Sequence, residues 1–342
     1  MSALAVIDAS LAGTSNDLVT AAVFLYAFAM LGYAAEFAFG RRARRAPLVV
    51  HAATSLETVP PPVAEAHVLS EPPRRADRGV VLGRFAVALT VAGWAAHLGS
   101  VVTRGLAAHR VPWGNMYEFS SMVTLAGATA YLVLLLNPRL RPLVRPLGAF
   151  VMVPVVLTLG LGTTVLYAKA EPLQPALQDY WIKIHVVAAI IAWGTFMVGA
   201  VASALYLAKS RFEARLALAG DDPATVDETV GGGIMRKVPS AAELDRLAYR
   251  VNAFAFPIWT FAIVAGAIWA ERAWGRYWGW DPKETWSFIT WVVYAAYLHA
   301  RATAGWKGRR AAYLALLAFS CLTFDYYIVN IFVVGLHSYA GL

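Results

Sequence analysis

Residues 274–286 read WGRYWGWDPKETW and separate two long apolar stretches, 250–271 and 287–304. This polar segment contains four tryptophans: Trp274, Trp278, Trp280 and Trp286. An indole ring favours a membrane interface or a flat ligand on which it can stack. One or two tryptophans beside a membrane helix are typical of an interfacial belt. Four in so short a segment favour a binding platform instead.

The composition is that of an integral membrane protein. Of the 342 residues, 59% are hydrophobic and only 15% are charged, whereas soluble domains carry roughly 25% charged residues. Eight apolar stretches approach the ~20 residues that are needed to cross a bilayer. They are residues 18–39, 80–103, 117–136, 147–168, 184–208, 250–271, 287–304 and 312–335. The sequence therefore predicts an all-α, polytopic membrane helix bundle with about eight transmembrane helices.

The distribution of lysine and arginine predicts the orientation of this bundle. Positive residues are concentrated after the first, third, fifth and seventh stretches, and the segment before the first stretch has none. Because positive loops are retained in the cytoplasm, both termini and the tryptophan segment are expected outside. The net charge of +8 is spread over these loops and comes with no nucleic-acid motif, so we expect no nucleic-acid partner.

Two long polar segments interrupt the apolar pattern. Residues 40–80 are rich in proline, arginine and alanine, which predicts a flexible cytoplasmic loop. We therefore divide the chain into residues 1–79, the first helix with this loop, and residues 80–342, the main membrane domain. In the second segment Ser240 and Glu243 have capping-box spacing, which predicts that the sixth helix begins before it enters the membrane.

Two helices have polar starts on the predicted outer side. Asn115 and Glu118 have the spacing of a helix cap before the third stretch. In the tryptophan segment Asp281 is a candidate N-cap, followed by Pro282 and, at the third helical position, Glu284. This pattern predicts a rigid start to the seventh helix. We expect Asp281 and Glu284 to build the loop rather than to act as acid and base.

Histidines near the membrane are the next candidates, because ionisable residues in a span are functional by default. His185 and His337 lie on the predicted side of the tryptophan segment. An isolated interfacial histidine is usually structural, but two beside an aromatic platform suit axial ligation of a planar metal macrocycle. His299 lies inside the seventh stretch and either pairs with a backbone carbonyl or binds a ligand in a second, membrane-embedded site.

Three further embedded residues keep open interpretations. His97 either packs within the bundle or has a functional role. Asp325 must be paired, protonated or turned towards a polar cavity. Cys321 is the single cysteine and is expected to be a buried packing thiol. Any thiol chemistry must therefore use thiols from a partner.

Four segments together resemble a known family. WGRYWGWDPKETW resembles the WWD motif of the heme-handling proteins of cytochrome c biogenesis. The segments NMYE (115–118), PLQPALQDYWIKIHV (172–186) and GLHSYAGL (335–342) resemble the CcsA (ResC) proteins of the System II pathway. The similarity extends from about residue 80 to the C-terminus.

The resemblance implies heme b as the bound ligand and substrate. By position, His185 and His337 match the two external heme ligands beside the WWD loop, here about 273–287, and His299 matches the ligand of an inner heme. The WWD residues that would contact heme are Trp274, Trp278, Trp280, Asp281 and Trp286. The second inner ligand is implied to come from a separate membrane subunit that resembles CcsB (ResB).

The resemblance also implies a function and a location. Heme would be conveyed outward and presented on the external WWD face in the bacterial cytoplasmic membrane. The two thiols of a C-x-x-C-H motif in apocytochrome c, kept reduced by a thioredoxin-like partner, would then add across the heme vinyl groups. Heme-attachment activity is expected only in complex with the CcsB-like subunit. Arg272, Arg276 and Lys183 are candidates for contact with the heme propionates.

Two other classes of function compete with this interpretation. A multi-pass permease for an amphipathic solute could use the tryptophans as an outer gate, and it would carry no bound chromophore. A non-catalytic assembly scaffold would leave heme on the partner alone. Heme absorbance of the purified chain distinguishes these three possibilities.

Overall fold

A computed structural model of the chain describes residues 7–39, 78–173, 175–219 and 233–337. Within these ranges the regular secondary structure is entirely helical, which confirms the predicted all-α class. The first predicted helix is present, but the predicted flexible loop lies outside the described residues, apart from its last three positions.

Eight long helices account for the eight predicted apolar stretches. They are α1 (Ala9–Phe39), α2 (Arg78–Ala107), α3 (Met116–Leu136), α4 (Arg141–Thr164), α5 (Tyr180–Ala219), α6 (Ala241–Trp274), α7 (Pro282–Ala302) and α8 (Arg309–Phe332). Seven of these described helices are long and apolar enough to cross a membrane. The exception is α7, which has 21 residues but many polar and aromatic side chains. It packs against α6 and α8 in the bundle.

The helices form two groups of four. In the first group α1 packs along α2, and α3 and α4 pack against this pair. In the second group α5 packs along α6, and α7 and α8 pack against that pair. The groups meet where α3 crosses α5. There a Cβ on Gly194 would lie 2.5 Å from the backbone nitrogen of Gly127. Small residues thus let the two helix backbones approach closely, as is common in membrane bundles.

The two ends of α6 follow their local sequence. At its start Ser240 and Glu243 form the predicted capping box, which confirms that prediction. At its end Gly275 adopts a left-handed conformation with φ of 71°, and its amide donates to the Glu271 carbonyl at 2.8 Å. Glycine adopts this conformation without steric cost. The chain therefore turns out of α6 directly into residues 275–281, which join α6 to α7 within the WWD loop (about 273–287).

The last helix is interrupted near its C-terminal end. Residues Asp325–Val329 of α8 form a π-helical turn, and the helix then ends at Phe332. The next five residues carry the chain to His337, which contacts the WWD loop. A π-turn inserts one residue into a helix and often lies at a functional site. This end of α8 therefore lies at the same end of the bundle as the WWD loop.

Candidate functional site

A buried carboxylate organises the WWD loop. Glu284 accepts hydrogen bonds from the backbone amides of Gly279 at 2.8 Å and Asp281 at 3.1 Å. Its other oxygen lies 3.2 Å from the Arg276 guanidinium. Asp281 and Glu284 form the predicted capping box of α7. Both residues therefore build the loop, as the sequence predicts.

The middle of the loop is held in an unusual backbone conformation. Trp280 has φ of 59°, a region that bulky residues rarely adopt and that often marks a functional site. Its ring is 65% exposed and lies perpendicular to Trp278 at 5.8 Å. Both rings contact Phe288 of α7, at 6.2 Å and 6.3 Å. The loop thus presents an aromatic cluster at its surface.

Asp281 connects the WWD loop to the end of the chain. Its Oδ1 lies 2.8 Å from His337 Nδ1, and its Oδ2 accepts from the Leu336 amide at 2.7 Å. Partial burial opposes ionisation, but these hydrogen bonds outweigh it and lower the pKa of the Asp281 carboxyl. Because an ionised carboxylate only accepts, Nδ1 of His337 carries the donated proton. The lone pair of neutral His337 is then on Nε2.

His185 is oriented in the same manner by α6. Its Nδ1 lies 2.7 Å from the carbonyl oxygen of Ala262, which can only accept a hydrogen bond. A Cβ on Gly266 would lie 2.7 Å from this Nδ1, so the glycine makes room for the imidazole. The lone pair of neutral His185 is therefore on Nε2 as well.

Trp269 brings the two histidines into one aromatic cluster. Its ring is nearly parallel to that of His185, with centroids 6.5 Å apart, and lies 5.7 Å from that of His337. Trp274 completes the cluster, 4.7 Å from Trp269 and 4.8 Å from His337. Trp269 itself is buried. The two histidines are thus held by groups on α6 and in the WWD loop.

Both histidines line one cavity, here called the histidine cavity. It contains about 820 Å³ of empty volume, including the part that opens to solvent. Its walls also include Trp193, Trp259, Trp269, Trp278, Lys283 and Asp325. An adjoining pocket of about 640 Å³ shares both histidines with it. Mainly apolar walls with a few polar groups are typical of small-molecule sites.

An ion cluster fixes the loop beside the adjoining pocket. Glu118 has a fully buried carboxylate that meets Arg104 at 3.0 Å and Arg110 at 2.7 Å. It also accepts from the Gly114 amide at 2.8 Å. Asn115 caps α3 as predicted, and both Gly114 and Asn115 line the pocket. The cluster thus holds this pocket wall in place.

A lysine and an aspartate face the histidine cavity from α7 and α8. Lys283 donates from Nζ to the backbone oxygen of Asp325 at 3.2 Å. The Asp325 side chain is buried, and its Oδ1 has no hydrogen-bond partner among the described residues. The structure thus places Asp325 in the wall of the histidine cavity, beside Lys283. Tyr326, whose ring lies 5.6 Å from Lys283 Nζ, forms the adjacent wall.

The predicted site residues do not all come together. His185, His337, Trp274 and Asp281 belong to one contacting group, and Trp278 lines the histidine cavity. Trp280 is exposed. Trp286 packs against Phe324 of α8 with centroids 4.2 Å apart and is not part of the described cavity walls.

The two membrane-embedded histidines lie apart from this site. His299 is exposed on α7 and lines neither pocket. His97 is fully buried, bonded to Ser121 at 2.9 Å and packed against the edge of Tyr26 at 6.0 Å. This environment favours the packing interpretation of His97.

Trp269 and Lys283 are site residues that the sequence did not single out. The sequence did contain a signal for Trp269. Ala262, Gly266 and Trp269 follow one another on α6 at spacings of four and three residues. Residues so spaced share a helix face. No local pattern indicates that this face meets His185, which lies on a different helix. For Lys283 the only signal was its charge beside an aromatic segment.

Comparison with known proteins assigns the chain to a family. A family model described as "Cytochrome C assembly protein" matches residues 113–337. These residues include the WWD loop and both histidines of the cavity. The match therefore covers the whole histidine cavity.

Individual relatives agree with this assignment. Each of three is named "Cytochrome c biogenesis protein CcsA". That of Guillardia theta is 38% identical over 245 residues, covering 70% of this chain and 80% of the relative. The protein of Synechococcus elongatus is 40% identical over 199 residues, covering 50% and 61%. That of Mesostigma viride is 31% identical over 273 residues, covering 76% and 84%. The chain is thus a multi-pass membrane protein that belongs to the cytochrome c assembly family, and within it to the CcsA proteins of cytochrome c biogenesis.

Proposed function

We propose that this protein binds heme in the histidine cavity and presents it for covalent attachment to apocytochrome c. One observation carries the proposal: His185 and His337 line a single cavity, and each has its Nδ1 engaged by an acceptor. An imidazole held in this way offers Nε2 to a metal, and the Nδ1 partner sets its orientation. Two such imidazoles would hold a heme iron, for which histidine is a common protein ligand.

The walls of the cavity suit this cargo. A porphyrin is flat, apolar across its faces and larger than an amino-acid side chain. Trp193, Trp259, Trp269 and Trp278 supply aromatic surface in the cavity walls, where stacking and edge contacts are favourable.

The WWD loop provides the surface on which attachment takes place in this proposal. Two thiols of the C-x-x-C-H motif add across the heme vinyl groups, each forming a carbon–sulfur bond, while its hydrogen passes to the other vinyl carbon. The nucleophiles belong to apocytochrome c and are kept reduced by a thioredoxin-like partner. This chain positions the heme and excludes water. Its exposed Trp280 and half-buried Trp278 are placed to contact the incoming motif.

The proposal includes a location. The WWD loop and both termini face outward from the bacterial cytoplasmic membrane. The concentration of lysine and arginine after the first, third, fifth and seventh apolar stretches supports this orientation.

A second heme site is proposed at His299. This histidine is exposed on α7, where a neighbouring membrane subunit has access to it. A CcsB-like subunit would supply the second ligand and thereby complete an inner site. Heme would pass from there to the histidine cavity, and attachment activity would require the complex.

Absorption spectroscopy of the purified complex with a CcsB-like subunit tests the outer site. We expect His185→Ala and His337→Ala each to change the heme spectrum and to lower the heme that is retained, because each removes one iron ligand. His109→Asn is the matched control, since His109 is exposed and asparagine tolerates its φ of 51°. The control variant should keep the wild-type spectrum.

The contrary outcomes separate the rival functions. An unchanged spectrum and heme content in both alanine variants would contradict ligation by these histidines. A colourless wild-type complex from heme-replete cells would favour the permease. Heme retained by the partner but never by this chain would favour the scaffold.

A further inference from the structure

Lys283 is an isolated cation in the wall of the histidine cavity. Among the described residues it is the only lysine or arginine that lines either this cavity or the adjoining pocket. Its side chain is half-buried, and its surroundings are largely aromatic. A charged group in such a place is costly unless a partner compensates it. The position therefore indicates a partner of opposite charge.

The partners of Lys283 within the chain meet this need only in part. An ammonium group has three donors, and the structure gives Nζ one acceptor, the Asp325 backbone oxygen at 3.2 Å. The carboxylates of Asp325 and Asp281 attract the ammonium group, but neither is paired with Nζ among the ion pairs of the described residues. The Asp325 Oδ1 is also unpartnered there. The cavity wall thus has both spare donors and a spare acceptor.

The cations that the sequence nominated for propionate contact are placed differently. Arg276 is engaged by Glu284 at 3.2 Å within the WWD loop. Arg272 pairs with Asp179 at 3.3 Å. Lys183 is exposed and lines neither pocket. Of these four basic residues, only Lys283 lines the histidine cavity.

The π-turn of α8 contributes to this arrangement. It begins at Asp325, whose carbonyl meets Lys283. The next residue, Tyr326, is fixed by hydrogen bonds of 2.7 Å to the Met116 carbonyl and to Ser120. Lys283 Nζ lies 5.6 Å from the centre of its ring. The ammonium is therefore held in place beside His337, which lines the same two pockets.

We propose that Lys283 binds a carboxylate group of the cargo inside the histidine cavity and so selects an acidic porphyrin over a neutral one. This inference rests on the proposed heme function and deepens it. Heme carries two propionates, and pairing one with Lys283 supplies the missing negative charge. A charge-assisted hydrogen bond of this type is stronger than a neutral one.

Binding titrations with two ligands test the proposal. The purified complex with a CcsB-like subunit is titrated with heme and with heme dimethyl ester, which has the same ring but no acidic groups. Wild type should bind heme about tenfold or more tightly than the ester, since a hydrogen bond to a charged group contributes on the order of one to two decades in affinity. Lys283→Met should remove this preference by weakening heme binding alone.

Lys169→Met is the matched control, because it removes the same charge from an exposed position outside both pockets. It should keep the preference for heme. Lys283→Arg should keep it too, because the positive charge remains. This variant tests the proposal even where Lys283→Met does not fold.

Two results would overturn this inference. The first is a Lys283→Met variant that retains the wild-type preference for heme, and the second is a Lys283→Arg variant that loses it while binding both ligands normally. Failure of the proposed heme function gives a different result. In that case the wild-type complex binds neither heme nor its dimethyl ester, or it binds them independently of His185 and His337. Heme binding that depends on both histidines but not on Lys283 would refute this inference alone.

Discussion

At the residue scale, Asp281 combines two roles that are usually separate. Its carboxylate caps α7 through the Lys283 amide and orients His337 at 2.8 Å. The same carboxylate accepts from the Leu336 amide. A glycine precedes Leu336, and a Cβ on Gly335 would lie 2.7 Å from the carboxylate. One short acidic side chain therefore couples the start of α7 to the histidine that follows α8.

We expect Asp281→Asn to lower the free energy of unfolding at pH 7 by about 1–3 kcal/mol, the range for a charge-assisted hydrogen bond. The pKa of Asp281 is lowered from 3.8 in the folded protein. Its stabilisation is thus present above pH 3.8 and is lost as the pH falls through the lowered value. Thermal unfolding in detergent between pH 5 and pH 3 measures the effect.

The difference between wild type and variant should shrink towards the acid end of this range. A difference that grew there would contradict the assigned role of Asp281. In the heme-loaded complex the variant should also show a changed ligand spectrum, because the acceptor that orients His337 loses its negative charge.

At the element scale, the ends of helices are held by buried ionic groups. Glu118 joins the end of α2, the loop before α3 and the first turn of α3 through Arg104, Arg110 and Gly114. Arg104 also donates to the Ala168 carbonyl at 2.5 Å, beyond the end of α4. A single carboxylate thereby fixes one wall of the adjoining pocket.

Glu118→Gln should destabilise the protein by about 3–5 kcal/mol, because it leaves two guanidinium groups in a buried site without their counter-charge. Glu36→Gln is the comparison, since the Glu36–Arg145 pair is about one quarter exposed on each side. Exposed pairs contribute about 0–1 kcal/mol. Unfolding midpoints measured in detergent compare the stability losses of the two variants.

Equal losses of stability in Glu118→Gln and Glu36→Gln would contradict the expectation that the more buried ion pair contributes more. Purified Glu118→Gln that remains folded should also bind heme less tightly, because the Gly114 segment that lines the adjoining pocket loses an anchor. The affinity of Glu36→Gln should stay at the wild-type value.

At the scale of the whole molecule, the two histidine sites lie in different settings. The histidine cavity is enclosed by groups of this chain from α3, α5, α6, α7 and α8. His299 is exposed on the surface of α7. In our proposal the first site is therefore built by this chain alone, whereas the second requires a neighbouring subunit.

We expect His299→Gly to lower the heme content of the complex with a CcsB-like subunit, and added imidazole to restore it by replacing the missing ligand. Heme content of the purified complex measures both effects. His109→Gly is the control, because that position already has a positive φ. Equal heme content of the His299 variant with and without imidazole would count against ligation there.

The sequence by itself determined what depends on short-range chemistry. Apolar length predicted the helices, and spacing predicted the caps at Asn115, Ser240 and Asp281. These features were predictable because each arises from residues within a few positions of one another, where helix geometry fixes which groups meet. The resemblance of the WWD segment likewise needed only local sequence.

The tertiary structure alone decided which side chains face the cavity. His337 meets Asp281, and His185 meets Ala262, only because helices far apart in the chain pack together. The same packing placed Lys283 in the cavity wall and Trp286 against Phe324. Helix periodicity defines the faces of a helix but not the neighbour that each face meets. That choice depends on close approaches such as Gly266 to His185, which no local pattern records.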